Sequence, residues 1–353
     1  MVQSLLVSLR KSSDTPSSPS HPQISEVSPV AAIPGGEFQI RGTGLKPTPD
    51  ERPQVRFGDA VAPIVIGSDN YVIARVPEGA RANQLTLGEN HGAAWTCEIG
   101  IQIADGLHPV ANPAVDSMGN IYAAFSGSAG QRTPVSVYKI DPNGTSKPLV
   151  TDLMNATGLV LDASEMLYVS SRHDGVVYQV SPSGNFSAYV EGMGVATGIV
   201  FDRDDNLYVG DRSGTVFKVS RNRQIYVFAT LEPSIAAYHL AFGPDDFLYV
   251  SGPTTSSFDS IVRIGRDGHV ERFYRGLGRP QGMAFDAQNN LYVAASLGGR
   301  RGVVRITPEA KAELFLSGPA IVGVAFSPSR AMVLATNNAV FRVAVGIEGR
   351  PLP

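Results

Sequence analysis

One phrase recurs six times along this chain, at intervals of 40 to 46 residues between residues 111 and 346. Each copy is a short, mostly apolar run that usually ends in Asp, followed by a polar turn and a second apolar run that contains a tyrosine in five copies. The second copy reads Thr157-Gly-Leu-Val-Leu-Asp162 and continues with Met166-Leu-Tyr-Val-Ser170. Self-similarity at this period predicts a radial or stacked array of equivalent units.

The content of each repeat predicts a β-propeller. After the two runs of the phrase, the copies hold a third apolar run, such as Val176-Val-Tyr-Gln-Val180, and most hold a fourth, more polar one, such as Phe186-Ser-Ala-Tyr-Val190. Four antiparallel strands that become more polar along the chain are typical of a propeller blade, whose first strand lines the central axis. Six copies therefore predict six blades.

The sixth copy lacks a convincing fourth run before Gly346. An apolar run that begins at Glu98 precedes the first copy, and its end is similar to the segment that precedes the fifth copy. We expect this earlier run to supply the outer strand of the last blade, because such closure removes an exposed sheet edge.

Ahead of the repeats, the pattern changes. Residues 1–21 are rich in Ser and Pro, and we expect a disordered tail there. Residues 22–104 contain short alternating runs separated by Gly and Pro turns, which predict a small immunoglobulin-like β-sandwich. The chain is thus predicted to be all-β, with this sandwich, a six-bladed propeller at residues 105–346 and a C-terminal tail at residues 347–353.

The sandwich segment resembles an IPT/TIG domain, an immunoglobulin-like module. It opens with Ile24-Ser-Glu-Val-Ser-Pro29, has a Gly-Gly pair ahead of a strand that ends in Gly42-Thr-Gly-Leu45, and later carries Val55-Arg-Phe-Gly58 and Val76-Pro-Glu-Gly-Ala80. These are recurring marks of that family, and the resemblance covers residues 22–104.

The repeat region resembles the six-bladed propellers of the gluconolactonase and regucalcin superfamily and the related NHL-repeat propellers. The shared feature is the pair of runs seen in Gly198-Ile-Val-Phe-Asp202 and Asn206-Leu-Tyr-Val209. Because propellers of this kind include hydrolases, lyases and binding modules, the resemblance implies the fold without assigning a function.

The superfamily resemblance also implies a divalent cation, held by Glu, Asn and Asp side chains at the first position of the phrase. Hard cations need such oxygen-rich, largely carboxylate ligation. In this chain the six residues at that position include no carboxylate and are Ala111, Thr157, Thr197, Tyr238, Gln281 and Val322. We therefore expect no cofactor, with Ca²⁺ or another divalent cation as the alternative and Asp211 and Gln281 as weak candidate ligands.

Propeller geometry places the starts of the first strands and the loops between second and third strands on one face. Arg172 and Arg212 occupy equivalent positions of neighbouring repeats on that face, so we expect their guanidinium groups to lie together and to bind an anion through paired hydrogen bonds. The alternative is that Asp174 and Asp211 neutralise them as ion pairs. The full predicted ligand-binding set is Arg172, Arg212, Tyr238, Gln281, Thr157, Thr197 and Arg300.

His239 stands where four of the other copies carry glycine. His239 and Asp211 are the candidate catalytic residues, although an isolated histidine is more often a packing residue. The run Asp202-Arg-Asp-Asp-Asn206 has the composition of a calcium loop. Its counterparts in other copies are Asp- and Asn-rich hairpin turns, so we interpret it as turn chemistry.

The composition narrows the partners and the compartment. The 353 residues are 43% apolar and carry a net charge of −3, which argues against a nucleic-acid surface. No apolar run is long enough to span a membrane, and the N-terminal stretch lacks the order of a secretory signal. We expect a cytoplasmic monomer, or an extracytoplasmic protein if the true start lies upstream.

Two functions are compatible with these observations. The favoured one is a non-catalytic recognition protein whose propeller channel face binds a carbohydrate, a sugar acid or other small anionic ligand, or a protein loop. The alternative is a metal-dependent, gluconolactonase-like hydrolase of sugar lactones with altered metal ligands. The sequence favours a binding protein over an enzyme.

Overall fold

The computed structural model describes residues 22–46, 52–88, 93–128, 130–256 and 258–351. These residues form 34 strands and no helix, so the described part of the chain is all-β and has no helix that could cross a membrane. The predicted disordered tail, residues 1–21, lies outside the described residues.

A β-sandwich of two four-stranded sheets precedes the propeller. In spatial order, the strands of the first sheet are Gln23–Ser28, Glu37–Thr43, Tyr71–Arg75 and Ile64–Gly67. Those of the second sheet are Ala60–Val61, Val55–Phe57, Gln84–Leu87 and Ala93–Thr96. Phe38 and Ile40 alternate with more exposed neighbours along one strand, as the two-residue period of a strand requires, and both are fully buried between the sheets with Phe57.

Six four-stranded antiparallel units form the blades and follow one another along the chain; five are separate sheets, and blade 5 is part of a six-stranded sheet. From the inner to the outer strand, blade 1 comprises Ala114–Val115, Ile121–Ala124, Val137–Ile140 and Ser146–Val150; blade 2 Ala156–Leu161, Leu167–Ser171, Val176–Val180 and Phe186–Val190; blade 3 Ala196–Phe201, Leu207–Asp211, Thr215–Val219 and Ile225–Thr230. Blade 4 comprises His239–Phe242, Leu248–Ser251, Asp259–Ile264 and Val270–Leu277; blade 5 Met283–Phe285, Leu291–Leu297, Arg300–Ile306 and Ala312–Ser317; blade 6 Ile321–Phe326, Met332–Thr336, Ala339–Val343 and Ile101–Asp105.

The outer strand of blade 6 comes from the other end of the propeller sequence. Ile101–Asp105 pairs antiparallel with Ala339–Val343, which confirms the predicted closure of the ring. The chain passes from the sandwich to the propeller between Ile99 and Ile101, so the closing strand begins ahead of residue 105 and ends at it.

A continuous sheet joins the sandwich to blade 5. The short strand Ala31–Ala32 pairs in parallel with the outer strand of blade 5, and Glu98–Ile99 pairs with Ala31–Ala32 in turn. Ile33 is buried in the apolar core shared by blades 5 and 6. Gly36 lies so close to the blade that a Cβ there would be 2.3 Å from the carbonyl oxygen of Ser317. Backbone pairing and close packing therefore fix the two domains together.

The Asp and Tyr side chains that recur in the repeated phrase stabilise its turn and pack against the next blade, as blade 3 shows. Asp202 accepts hydrogen bonds from the backbone N–H of Asn206 at 2.9 Å and from the hydroxyl of Tyr208 at 3.2 Å. Asp205, within the turn, has a φ of 56°. The Tyr208 ring packs edge-on against Phe242 of the next blade, with 4.9 Å between centroids. The acidic run is therefore a turn, as interpreted from the sequence.

Candidate functional site

The propeller channel has two ends that carry different side chains. We call the end at which the six inner strands begin the upper end, and the end at which they finish the lower end. Most of the predicted ligand-binding residues lie at the upper end. A cavity of about 520 Å³ occupies lower positions of the same strands, and none of the predicted ligand-binding residues lines it.

Two arginines lie close to each other at the upper end. Arg172 follows the second strand of blade 2, and Arg212 follows the second strand of blade 3. Nη2 of Arg172 donates a hydrogen bond to the carbonyl oxygen of Gly127 at 2.9 Å, and Nε of Arg212 donates one to that of Ser234 at 3.2 Å. Burial and the neighbouring positive charge of Arg212 lower the pKa of Arg172. Loop carbonyl groups thus hold two guanidinium groups near enough to repel each other.

Neither arginine forms an ion pair within the part of the chain that the structure describes. Of the two carboxylates considered as partners, Asp174 accepts a hydrogen bond from the Tyr178 hydroxyl at 2.7 Å. Asp211 accepts hydrogen bonds from the backbone N–H and the hydroxyl of Ser213. Nε of Arg172 is buried and has no hydrogen-bond partner among the described residues. No carboxylate among the described residues therefore forms an ion pair with either arginine.

Four other predicted residues belong to the scaffold of the upper end. Thr157 and Thr197 are buried, and their hydroxyl groups donate to backbone carbonyl groups at 2.9 Å. Tyr238 is also buried, which raises its pKa to about 12, and its hydroxyl donates to a loop carbonyl. The carbonyl of the half-buried Gln281 accepts a hydrogen bond from Ser251 at 2.5 Å. These contacts position the inner strands.

Arg300, predicted at the channel, contacts the sandwich instead. Its Nη2 lies 3.5 Å from the carbonyl oxygen of Glu37. Burial lowers the pKa of Arg300, while Tyr71 and Glu37 of the sandwich act in the opposite direction. The second and third strands of blade 5 are seven residues long, compared with five in blades 2 and 3. This hairpin extends beyond its counterparts and carries Arg300 to the domain boundary.

Close approach of the inner strands narrows the upper end. The second position of the phrase is glycine in blades 2, 3, 5 and 6. A Cβ at Gly198 would lie 2.4 Å from the carbonyl oxygen of Tyr238, and a Cβ at Gly323 would lie 2.4 Å from that of Ala111. Only glycine leaves room for neighbouring strands to approach in this way.

Asn112 occupies the same position in blade 1 and bridges two other blades. Its Nδ2 donates to the carbonyl oxygen of Met283 at 2.8 Å, and its Oδ1 accepts a hydrogen bond from the N–H of Val324 at 3.0 Å. The bridge ties blade 1 to the inner strands of blades 5 and 6 across the upper end of the channel.

His239 takes this position in blade 4 and is enclosed. The residue is only 2% exposed, and its Nε2 has no hydrogen-bond partner among the described residues. Burial lowers the pKa of His239 to about 4, so the imidazole is neutral at neutral pH. Since Asp211 is bonded within its own turn, the two candidate catalytic residues do not form an open site.

The donor groups at the upper end do not fit a divalent cation. The described ranges contain no group of three or more His, Cys, Asp or Glu side chains that could hold a metal ion. The weak candidate ligands Asp211 and Gln281 belong to blades 3 and 5. One carboxylate and one amide supply less oxygen ligation and less charge than Ca²⁺ needs.

The cavity of about 520 Å³ is lined by the third, fourth and fifth positions of the phrase in all six blades, and every one of those residues is apolar. In blade 4 they are Leu240, Ala241 and Phe242. The candidate residues predicted from the sequence occupy other positions, and none of them lines this cavity. Its signal in the sequence is the apolar character of the next three positions in every copy.

Comparison with known proteins agrees with both domains. Residues 22–96 match the model of the IPT/TIG domain. The comparison with curated proteins found no match. The chain therefore contains an IPT/TIG domain, as its sequence motifs predict.

Solved structures share the propeller. A candidate gluconolactonase superposes with a TM-score of 0.58 and 17% identity over 72% of this chain and 94% of its own. A gluconolactonase from Xanthomonas campestris superposes with a TM-score of 0.56 and 17% identity, over 73% of this chain and 90% of its own. An auxiliary nutrient binding protein from Bacteroides thetaiotaomicron superposes with a TM-score of 0.53 and 11% identity, over 92% of this chain and 97% of its own. At these identities the similarity establishes the fold alone: the IPT/TIG domain is followed by a six-bladed β-propeller.

Proposed function

We propose that this chain is a non-catalytic recognition protein that binds an anionic ligand of the sugar-acid class at the upper end of its propeller. The observation that carries the proposal is the adjacent pair Arg172 and Arg212, which no described carboxylate neutralises. The sandwich serves as a spacer or as a second contact surface.

The arginine pair has the donors that a carboxylate requires. A guanidinium group has five N–H donors, and the described contacts of Arg172 use one nitrogen, Nη2, while its Nε has no partner. A carboxylate can accept two parallel hydrogen bonds from such a fork. A bound anion also removes the repulsion between Arg172 and Arg212 that lowers the pKa of Arg172. Both effects stabilise the complex with an anionic sugar relative to the complex with a neutral sugar.

Two further observations support binding over catalysis. The first position of the phrase has no carboxylate, and the described residues form no cluster of three metal-ligating side chains. Among the structural similarities that span about 92% of this chain, and so include sandwich residues, two are to proteins described as nutrient binding proteins.

The test is isothermal titration calorimetry of the full chain with D-galacturonate and with neutral D-galactose. We expect binding of galacturonate only, and at least about a tenfold loss of affinity in Arg172→Gln and in Arg212→Gln. Arg172→Lys keeps the charge but not the planar fork, and we expect an intermediate loss. Arg221→Gln, at an exposed arginine paired with Asp205, is the matched control and should bind as the parent protein does.

Equal heats for galacturonate and galactose, or full affinity in both glutamine variants, would contradict the proposal. An acidic peptide from a protein loop offers the same carboxylate chemistry. A poly-glutamate peptide that binds through the two arginines while galacturonate does not would replace the sugar acid by a protein partner.

A metal-dependent lactone hydrolase is the second candidate, and it is favoured by the shared fold with the Xanthomonas campestris gluconolactonase. Its test is thermal unfolding after EDTA treatment, with Ca²⁺, Zn²⁺ or Mg²⁺ added back. A ligand that binds the native state raises the midpoint of unfolding. A rise of several degrees at micromolar metal, together with hydrolysis of D-glucono-δ-lactone, would favour the enzyme; we expect neither.

A further inference from the structure

We infer that the lower part of the channel is a second binding site, which takes an apolar molecule with one carboxylate, such as a fatty acid. The site is distinct from the arginine pair at the upper end and does not depend on it. Three features of the lower end carry the inference: apolar walls, a ring of small side chains, and one arginine at the mouth whose buried Nη1 has no hydrogen-bond partner among the described residues.

The walls and the size suit an aliphatic chain. The six blades contribute only apolar side chains at the three positions that surround the cavity. A volume of about 520 Å³ lies within the range of known small-molecule sites.

Small residues keep the middle of the cavity open. The fourth position of the phrase forms a ring of four alanines and two valines, namely Ala114, Val160, Val200, Ala241, Ala284 and Ala325. The fifth position is larger and includes Phe201, Phe242, Phe285 and Phe326. The aromatic rings pack against tyrosines of the preceding blades, as Phe326 does with Tyr292 at 5.2 Å between centroids. They therefore form rigid walls around the open ring.

The segment after blade 6, predicted as a tail, is fixed against the lower end. The N–H of Arg350 donates to the carbonyl oxygen of Phe285 at 3.0 Å, and Glu348 accepts a hydrogen bond from Ala287 at 2.9 Å. A Cβ at Gly349 would lie 2.3 Å from the Cβ of Phe326, so the segment lies directly on the inner strand of blade 6. This course brings Arg350 to the wall of the cavity.

Arg350 differs from the other cations at the mouth. Arg203 and Arg266 both pair with Asp246, at 3.6 and 3.0 Å, and Lys218 lies 3.9 Å from Asp202. Arg350 forms no ion pair in the described ranges. Its Nη1 is buried and has no hydrogen-bond partner there.

These contacts indicate that the ligand carries its anionic group at the end that lies beside Arg350. A buried N–H without an acceptor is unfavourable, and a carboxylate at the mouth would accept its hydrogen bond and compensate its charge. Burial and the nearby Arg203 lower the pKa of Arg350, while Asp246 and Asp245 act in the opposite direction. A bound anion would add to the compensation that these two carboxylates give. Asp204, which also lines the cavity, is exposed and would repel an anion, so we expect the carboxylate to lie beside Arg350. The tail of the ligand then occupies the apolar ring.

The experiment is calorimetric titration of the full chain with decanoate below its micellar concentration, with methyl decanoate as the neutral control. We expect one decanoate per chain and at least about tenfold weaker binding of the ester. Arg350→Gln should reduce decanoate to the affinity of the ester. Ala284→Phe, which fills the small-residue ring, should abolish binding of both.

Two matched variants locate the bound molecule. Arg272→Gln, at an exposed arginine on the outer strand of blade 4, should bind decanoate normally. Arg172→Gln should also bind decanoate normally, which separates this site from the upper end. Circular dichroism checks the fold of each variant, and the Arg350→Gln result decides the matter even if Ala284→Phe fails to fold.

No binding of decanoate would overturn the inference. Undiminished binding in Arg350→Gln and equal affinity for acid and ester would overturn the role of the arginine. Loss of decanoate binding in Arg172→Gln would place the acid at the upper end and refute the second site, whatever the outcome with galacturonate.

Discussion

The upper and lower ends of the channel are built from the same six inner strands, only a few residues apart, yet they have opposite chemistry. At the upper end, hydrogen bonds from Asn112 and close contacts at Gly198 and Gly323 draw the strands together. At the lower end, three successive positions are apolar in every blade and surround a cavity of about 520 Å³. The change occurs between the second and the third positions of the phrase.

The difference shows that the residue type at one position of a repeat affects the channel six times, once in each blade. Each position of the phrase becomes a complete layer of the channel, because six blades present it at the same height. Glycine at the second position yields a tight layer, and alanine or valine at the fourth yields an open one. A copy that departs from the others changes one sixth of a layer, as His239 does at the second position.

The largest expected effect contrasts a closed layer with an open one. Gly198→Ala places a Cβ 2.4 Å from a backbone oxygen that cannot move independently of its strand. We expect a loss of at least about 3 kcal/mol in the free energy of unfolding. Ala284→Leu, at the open layer, should cost less than about 1 kcal/mol because the cavity can accept the added atoms. Urea denaturation of both variants measures the contrast; equal losses would show that the lower layer is closed as well.

The next effect concerns the enclosed imidazole. The folded-state pKa of His239 is lowered to about 4, below the unfolded value of about 6.5. Between these values the unfolded state binds the additional proton, so stability is complete above pH 6.5 and is lost as the pH falls towards 4. The loss attributable to His239 should be about 2 kcal/mol at pH 5. Denaturation at pH 7.5 and pH 5 should show this additional loss in the parent protein and not in His239→Gln.

A smaller effect tests whether Arg350 stabilises the fold. Replacing a side chain that stabilises the fold lowers the free energy of unfolding. Replacing a buried donor that has no acceptor does not, because the unpaired donor itself destabilises the fold. We expect Arg350→Gln to leave the free energy of unfolding unchanged or to raise it by up to about 1 kcal/mol. A decrease greater than about 1 kcal/mol would indicate a structural role for the guanidinium group.

The smallest effect is the response of the two ends to salt. Arg212 is exposed, so added salt screens its attraction for an anion. Affinity for galacturonate should fall about threefold between 50 and 500 mM NaCl. Decanoate should lose less, because its apolar burial is not screened and the Arg350 donor is buried. Parallel titrations compare the two slopes, and equal slopes would mean that both acids bind at exposed charges.

Much of the architecture is readable from the sequence because it repeats. The period predicts six blades, and the Asp-rich turns are local chemistry. The missing run of the sixth copy predicts closure by the run that begins at Glu98, of which Ile101–Asp105 forms the closing strand. The proximity of Arg172 and Arg212 also follows from equivalent positions in adjacent blades. Each of these inferences needs only the order of residues within a repeat and the regular stacking of repeats.

The features that the sequence did not provide arise where the regularity ends. Arg300 meets Glu37, 263 positions away, because one hairpin is longer than its counterparts. The sandwich joins blade 5 through two residues, Ala31–Ala32, whose short apolar run has no distinctive signal.

The sequence by itself therefore determined the fold class, the number of blades and the IPT/TIG domain, because local patterns and their repetition specify them. Only the tertiary structure decided that His239 is enclosed, that the upper layer is tight and that the lower layers leave a cavity reached by Arg350. Enclosure and cavity volume depend on how closely six distant strands approach one another. The distance between these strands is set by packing among all the blades at once, so no single segment of the chain predicts it.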